Sequence, residues 1–388
     1  MNKGQRSDRI LVGGFVSALL AAAVLFLALP MQTFSETENR VLQRPPELSW
    51  SHIWNKQFSL EAEGFVTDHF PMRTSWVQLK SEMEQLRLQQ ENNGIYKGKG
   101  GYLFEKFEQP DDAKAKEYAE VVQRWAAMHP EAGMTFMLAP TSIGMYPERL
   151  PWLASADSQR DVNAFVKEQL KGKLTFLNGF DFLSDATDGN RPIYYRTDHH
   201  WTTYGAYLAY SAYSKQMGWE PLPESAFNIE TVTRSFLGSY HTRSQFSGVK
   251  PDSIEVYTPK KPLHTTVSVA DDRSTSESLY DTSFLSKKDK YSYFLGGVHA
   301  LMTIKTELPA ADVQLDKLLV IKDSYAHSML PFLTSHVQEL HVIDMRYYNG
   351  NISQYMKDNG IQQVLFLFNT ATFLESSELL KLGTKSSV

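Results

Sequence analysis

The chain has 388 residues, no cysteine, 39 Lys plus Arg against 44 Asp plus Glu, and a formal net charge of −5. At roughly 100–200 residues per domain this length allows two or three domains. The mild acidity excludes a nucleic-acid-coating protein. The missing cysteines exclude a disulfide scaffold, a Cys zinc site and thiol catalysis, and 42% hydrophobic content excludes wholesale disorder.

In chain order, the first element is the most deviant. Ile10 to Leu29 carries no charge, and Ser17 is its one clearly polar residue. A helix of ~20 such residues spans a bilayer core of ~30 Å. Lys3, Arg6 and Arg9 precede it, against a single Asp8. Positive flanks stay in the cytoplasm, so 1–9 reads as a cytoplasmic tail and the main domain as extracytoplasmic. A cleaved signal is the alternative. Its −1 residue would be Ala28, but −3 would then be the bulky Phe26, which favours an uncleaved single-span anchor over 10–29.

Residues 30–92 read as a tether and helical stalk. Gln32 to Ser51 is polar and contains Pro45-Pro46. Two helical stretches follow, broken near Pro71. The second carries Trp76, Leu79, Met83, Leu86 and Leu88 at near-helical spacing, an apolar face that packs on the domain or on a partner. Thr67-Asp68-His69 echoes a later Thr197-Asp198-His199, which reads as chance.

The main domain reads as 93–388. Glycines 98, 100 and 101 punctuate a strand at Tyr102-Leu103-Phe104, and Pro110-Asp111-Asp112 opens a helix to about Met128. Strands at 134–138 and 174–177 alternate with helices at about 158–170 and 203–217. Near the end, strands at 317–321, 339–343 and 364–368 alternate with helices at about 324–334 and 352–359. Such alternation predicts an α/β fold with a mostly parallel sheet and helices on both faces. Between about 221 and 312, short β-rich pieces alternate with polar stretches, read as an insertion.

Two places offer chemistry. In Tyr194-Tyr195-Arg196-Thr197-Asp198-His199-His200-Trp201-Thr202, an extended backbone before the helix cap would alternate its side chains. Asp198 and His200 would then share one side and His199 the other. A carboxylate beside an imidazole is the orienting pair of a Ser-His-Asp system. A metal site and a purely structural hydrogen-bonded turn remain open, although alternation makes it awkward for His199 and His200 to reach one ion. The second place is Asp323-Ser324-Tyr325, after the apolar run Lys317 to Lys322. Strand, turn and helix would put Ser324 at the carboxyl end of a strand, where open α/β sheets bind ligands, and at a helix start. A plain N-cap is the other reading of Asp323 or Ser324.

Thr197-Asp198-His199-His200-Trp201-Thr202 resembles the signature of the DHHW family of bacterial exported proteins. That family in turn resembles the alginate O-acetyltransferases with a permuted SGNH-hydrolase-like domain. Similar stretches are Phe34 to Arg40, His69 to Arg73, Gly100 to Phe104, Pro140-Thr141-Ser142 and Tyr146 to Pro151. The resemblance implies an SGNH-hydrolase-like, flavodoxin-like three-layer sandwich whose motif order is circularly permuted: Asp198, His200, then Ser324. It implies covalent acyl transfer, in which Ser324 attacks an acetyl donor, His200 takes its proton and Asp198 orients His200. No cofactor and no metal enter that chemistry.

The acceptor would be a sugar hydroxyl of a cell-surface polysaccharide, and the acetyl group would come from a membrane-embedded acyl-transfer partner. A carbohydrate O-acetyl esterase and a non-catalytic glycan-binding or assembly protein remain as alternatives. One departure is Lys322, where SGNH enzymes carry Gly before Asp-Ser; its bulk would crowd the turn. Oxyanion donors would be the Ser324 N–H and Gly297 of the Gly296-Gly297 pair, unless the pair only makes a turn. His199 is a further supporting candidate. Arg346 would meet an anionic sugar or form a surface salt bridge.

Overall fold

The computed structural model describes residues 3–35, 40–109, 112–172, 174–187, 189 and 191–383. Two sequence readings therefore fall partly outside the described residues: Glu36 to Asn39 of the Phe34–Arg40 stretch, and Pro110-Asp111 at a helix start. The chain divides into two units, 1–89 with 245–248, and 90–244 with 249–388.

In the first unit, helix α1 (Lys3–Ala28) contains Asp8–Ala28, with a mean hydropathy of 2.6 and no part of it buried. It is long and apolar enough to cross a membrane. Helices α2 (Gln57–Asp68) and α3 (Arg73–Leu86) follow. They break at Pro71-Met72, where Met72 turns left-handed at φ 58°. Phe65 is the buried residue of α2 and meets Phe26 of α1 edge-on at 5.9 Å. Asp68 accepts from Arg40 Nη1 at 2.9 Å and from the Gln43 N–H at 2.8 Å. The hydrogen bond from Arg40 holds its carboxyl below the ordinary range. The Thr67-Asp68-His69 echo thus serves a local ion pair.

The second unit is built on an eight-stranded sheet. Its strands are β1 (Gly133–Ala139), β2 (Thr175–Asn178), β3 (His264–Val269), β4 (Thr275–Ser276), β5 (Leu301–Glu307), β6 (Leu315–Lys322), β7 (Val337–Ile343) and β8 (Gln363–Asn369). Their spatial order is β4-β3-β5-β7-β6-β8-β1-β2. From β7 to β2 every pairing is parallel, and β5, β3 and β4 extend the sheet antiparallel. Met134 to Ala139 and Val364 to Asn369 are buried without interruption, as strands covered on both faces must be.

Local sequence explains the helices. In α4 (Asp112–Ala127), Ala115, Tyr118, Ala119, Val122, Trp125 and Ala126 recur at three- and four-residue steps, and all are buried. Ser158 caps α5 (Gln159–Leu170) through the Asp161 N–H, and Thr202 caps α6 (Thr203–Gln216) through the Gly205 N–H. Further on come α7 (Ala326–Leu333), α8 (Ile352–Asn359) and α9 (Thr370–Glu375). Helix α7 is buried along all eight residues.

The stretch read as an insertion is more integrated than its composition suggests. β3, β4 and β5 from it join the main sheet. A separate hairpin pairs Phe227–Phe236 with Asp252–Pro259. Alternating polar residues on β3 and β5 hid their membership, because each has one exposed face.

Candidate active site

The parallel strands end on one edge of the sheet, and the candidate residues gather there. β6 ends at Lys322, and Asp323 and Ser324 form the turn into α7. Helix α7 starts two residues later than the sequence suggests, at Ala326, because Asp323 organises the turn. Its Oδ1 accepts from the Tyr325 N–H at 2.8 Å, and its Oδ2 accepts from the N–H and Nδ2 of Asn369 at the end of β8, both at 2.8 Å. Burial pushes the Asp323 carboxyl upward, against these hydrogen bonds. Ser324 is half-buried, and its own N–H makes no hydrogen bond among the described residues.

The Asp-His-His-Trp segment is not an extended strand. The chain folds back so that Tyr194 pairs with Trp201, and the Tyr195 N–H donates to the His200 carbonyl at 3.2 Å. The expected alternation therefore fails: the rings of His199 and His200 lie only 3.7 Å apart. Asp198 Oδ1 accepts from the His200 N–H at 3.0 Å and from His200 Nδ1–H at 2.5 Å. Its Oδ2 accepts from the Ser239 N–H at 2.7 Å. On the far side of the ring, Ser324 Oγ lies 2.7 Å from His200 Nε2. Asp198, His200 and Ser324 thus form one unbroken hydrogen-bond chain across 126 residues of sequence.

The electrostatics follow from this packing. Burial works against a charged Asp198. The adjacent His199 and His200, with the hydrogen bonds from His200 and Ser239, outweigh it and hold the carboxyl well below its ordinary range. An anionic Asp198 fixes the tautomer of His200 with its proton on Nδ1, leaving Nε2 to accept from Ser324. The His200 ring is held flat against Tyr291, with centroids 3.6 Å apart and planes 11° apart. Desolvation, and then the neighbouring His200, push His199 down to about 4.

Several supporting groups come from segments that carry no motif. Gly238 and Ser239 follow the first strand of the hairpin and pack on Asp198. Asp252, on its second strand, accepts from the Thr197 N–H at 2.8 Å and the Thr197 hydroxyl at 2.7 Å. Tyr291 also donates to the Ser324 carbonyl at 3.2 Å. Only the Gly-Ser step at 238–239, just ahead of the short helix Ser239–Ser244, offers a sequence signal, and it is a common one.

The remaining sequence candidates are placed as follows. His199 Nδ1 lies 2.7 Å from Ser239 Oγ, and the ring borders a cavity of about 520 Å³ shared with Thr141, Tyr240, Asn369, Glu105 and Glu375. Gly297 has φ 98°, and its N–H donates to the Phe294 carbonyl at 3.4 Å, closing a turn rather than facing Ser324. Arg346 is bound to Asp344 at 2.9 Å and 2.6 Å. Asp344 also accepts from Lys322 Nζ at 3.1 Å, and Lys322 donates to His327 Nε2 at 2.7 Å. Lys322 therefore does not crowd the turn; its chain leaves β6 for a buried ion pair. Asp198, His199 and His200 also bring three donor atoms within 4.8 Å of one another. Each of those residues already holds a protein hydrogen bond, from Asp198 to His200, from His200 to Ser324 and between His199 and Ser239.

A family model described as DHHW protein matches residues 98–343. The chain belongs to the DHHW family. Among curated proteins none matches. Of solved structures, a DHHW family protein from Eubacterium siraeum aligns with a TM-score of 0.65 at 24% identity, over 76% of this chain and 96% of that one. Bacillus cereus PatB1, solved with a sulfonyl adduct, aligns with a TM-score of 0.61 at 16% identity, over 74% and 96%. The O-acetyltransferase domain of Pseudomonas putida AlgJ aligns with a TM-score of 0.46 at 16% identity, over 75% and 99%. At such identities the first two establish the shared fold of this DHHW chain, an α/β fold on a large, mostly parallel sheet.

Proposed function

We propose that this DHHW protein is a membrane-anchored O-acetyltransferase that acts on a cell-surface polysaccharide through an acetyl-Ser324 intermediate. The observation that carries the reading is the chain of hydrogen bonds from Asp198 through His200 to Ser324, at 2.5 Å and 2.7 Å. The 2.7 Å contact lies in the roughly 2.6–3.2 Å range in which a general base works on a nucleophile.

In the first half-reaction, Ser324 Oγ attacks the carbonyl carbon of an acetyl ester or thioester while His200 Nε2 takes its proton. The tetrahedral oxyanion collapses, the bond to the donor breaks, and the leaving group receives the proton from His200. In the second half, a sugar hydroxyl gives its proton to His200 Nε2 and attacks the acetyl carbon. The Ser324 ester bond then breaks and Oγ regains a proton. Asp198 remains ionised and steadies the transient imidazolium. The Ser324 N–H, on the turn entering α7 and without a hydrogen bond among the described residues, is one donor for the oxyanion. The cavity beside His199 lies within the roughly 300–1,000 Å³ typical of small-ligand sites and suits a sugar unit.

Helix α1 serves as the single-span anchor, with the basic residues Lys3, Arg6 and Arg9 on the cytoplasmic side. The catalytic unit then faces outward, and a membrane-embedded acyl-transfer protein supplies the acetyl group. The test uses the full chain in detergent with a chromogenic acetyl ester and an oligosaccharide acceptor. Acetate release and sugar acetylation, both lost in Ser324→Ala, support the reading. Release without any transfer assigns the esterase instead. Activity that survives in Ser324→Ala removes Ser324 from the mechanism.

A further inference from the structure

Helix α3 carries a pattern that acyl transfer does not use. Met72, Trp76, Leu79, Met83 and Leu86 are spaced by four, three, four and three residues. That is the heptad spacing of a helix–helix seam, averaging about 3.5 residues. In an ordinary amphipathic helix such a stripe faces the core. Here each of the five keeps between 47% and 78% of its surface exposed, while the buried residue of the helix, Ser81, lies on the opposite side.

The charges beside the stripe choose its partner. With Trp76 and Met83 at the a positions, Met72, Leu79 and Leu86 occupy d. Arg73, Lys80 and Arg87 then occupy e, and Ser75 and Glu82 occupy g. In a parallel, in-register pair each g residue faces the e residue five positions on in the other helix. Glu82 would face Arg87 of a second copy, twice by symmetry. An antiparallel pair sets e against e, which here brings cations together.

We propose that α3 pairs with α3 of a second copy of this chain, parallel and in register. Two heptads form a short seam, marginal in free solution. Confinement of both copies to one membrane raises their effective concentration and makes such a seam sufficient. The proposal takes the anchor from the functional reading and is independent of the chemistry at Ser324.

The absence of cysteine makes the test clean. Leu79→Cys, Leu86→Cys and, as an off-seam control, Gln78→Cys are placed singly in the full chain and reconstituted in phosphatidylcholine vesicles. Mild oxidation should yield disulfide dimers at positions 79 and 86 at least about tenfold above position 78, since a disulfide needs Cα atoms within ~7 Å. In the same vesicles, Leu79→Asp combined with Leu86→Cys should lose the cross-linked dimer while leaving ester hydrolysis unchanged. Equal cross-linking at all three positions overturns the proposal. So does cross-linking at 79 but not 86, which marks antiparallel pairing, and so does a Leu79→Asp, Leu86→Cys chain that still cross-links. Because hydrolysis is read in the same samples, failure of the seam is distinguished from failure of the acyl-transfer reading.

Discussion

Gly238 sits against the acid of the hydrogen-bond chain. A Cβ at this position would lie 2.3 Å from Asp198 Cβ, 2.3 Å from its Oδ2 and 2.6 Å from its Cγ. Carbon contacts are comfortable at about 3.5–4.0 Å, so the carboxylate or the loop must move by roughly 1 Å. The loop is not free to yield. The Gly238 N–H donates to Thr197 Oγ1 at 3.1 Å, and Thr197 is tied in turn to Asp252. Asp198 must therefore swing, losing the Ser239 N–H and its alignment with His200 Nδ1.

A 1 Å misplacement costs on the order of 100-fold, and full loss of the orienting acid about 10,000-fold. Gly238→Ala should thus lower kcat/KM by about 100- to 10,000-fold, or roughly 2.7–5.5 kcal/mol of transition-state stabilisation. Stability should fall by only about 1–3 kcal/mol, the usual cost of overpacking. The assay is steady-state hydrolysis of a chromogenic acetyl ester, with Ser324→Ala as the floor and thermal unfolding alongside. A folded Gly238→Ala enzyme within about threefold of the parent would refute the argument that Asp198 acts through this geometry.

Trp201→Phe removes the indole N–H that reaches the Tyr325 carbonyl at 2.9 Å and Ser328 Oγ at 3.1 Å. It should cost about 2–3 kcal/mol of stability in urea unfolding. An unchanged midpoint would count against the bonds as drawn. A sulfonyl fluoride, an electrophile that captures a serine held against a general base, should label Ser324 selectively, read by peptide mass spectrometry. Labelling that persists in Asp198→Asn at the parent rate would deny activation through the hydrogen-bond chain.

Acid should destabilise the fold through its buried histidines. His199, His241 and His341 are each pushed from 6.5 to about 4, first by burial. Between those values the unfolded chain binds protons that the folded chain refuses, so stability falls as pH drops through the window from 6.5 to 4. For the fully buried His341 alone this amounts to roughly 3 kcal/mol. A urea midpoint that is flat or rising from pH 7 to pH 5 would contradict it.

The parallel half of the sheet was legible because its strands are continuous apolar runs bounded by turns. Lys317 to Ile321 and Val364 to Phe368 are read from hydrophobicity alone. The antiparallel half was not, since strands with one wet face, such as His264–Val269, look like polar connections. At the site, Asp198, His200 and Ser324 could be picked out as residue types that make sense together. Their geometry could not. The alternation argument assumed an extended backbone, and the actual turn is set by the Tyr194–Trp201 pairing and by Asp252, which holds Thr197 from 55 residues away. Gly238, Ser239 and Tyr291 arrive through segments with no local pattern that would mark them. Long-range packing alone gives them a role.

What joins the two halves of the site is carried by the residues flanking the chemistry, and this gives the tryptophan of the Asp-His-His-Trp segment a physical meaning. His200 and Ser324 are 124 residues apart and need to stay within hydrogen-bond reach. One residue beyond His200, the Trp201 indole grips the Tyr325 carbonyl and Ser328. One residue beyond Ser324, the Tyr325 hydroxyl donates back to the His199 carbonyl at 2.6 Å. Tyr291 closes a third side: its ring lies on His200, and its hydroxyl reaches both Ser328 and the Ser324 carbonyl. Each bond is made by a buried group that would otherwise be left unsatisfied, so sliding one segment past the other costs several such bonds at once. The 2.7 Å approach of His200 Nε2 to Ser324 Oγ is therefore a consequence of the surrounding clamp, and it is set before any ligand binds.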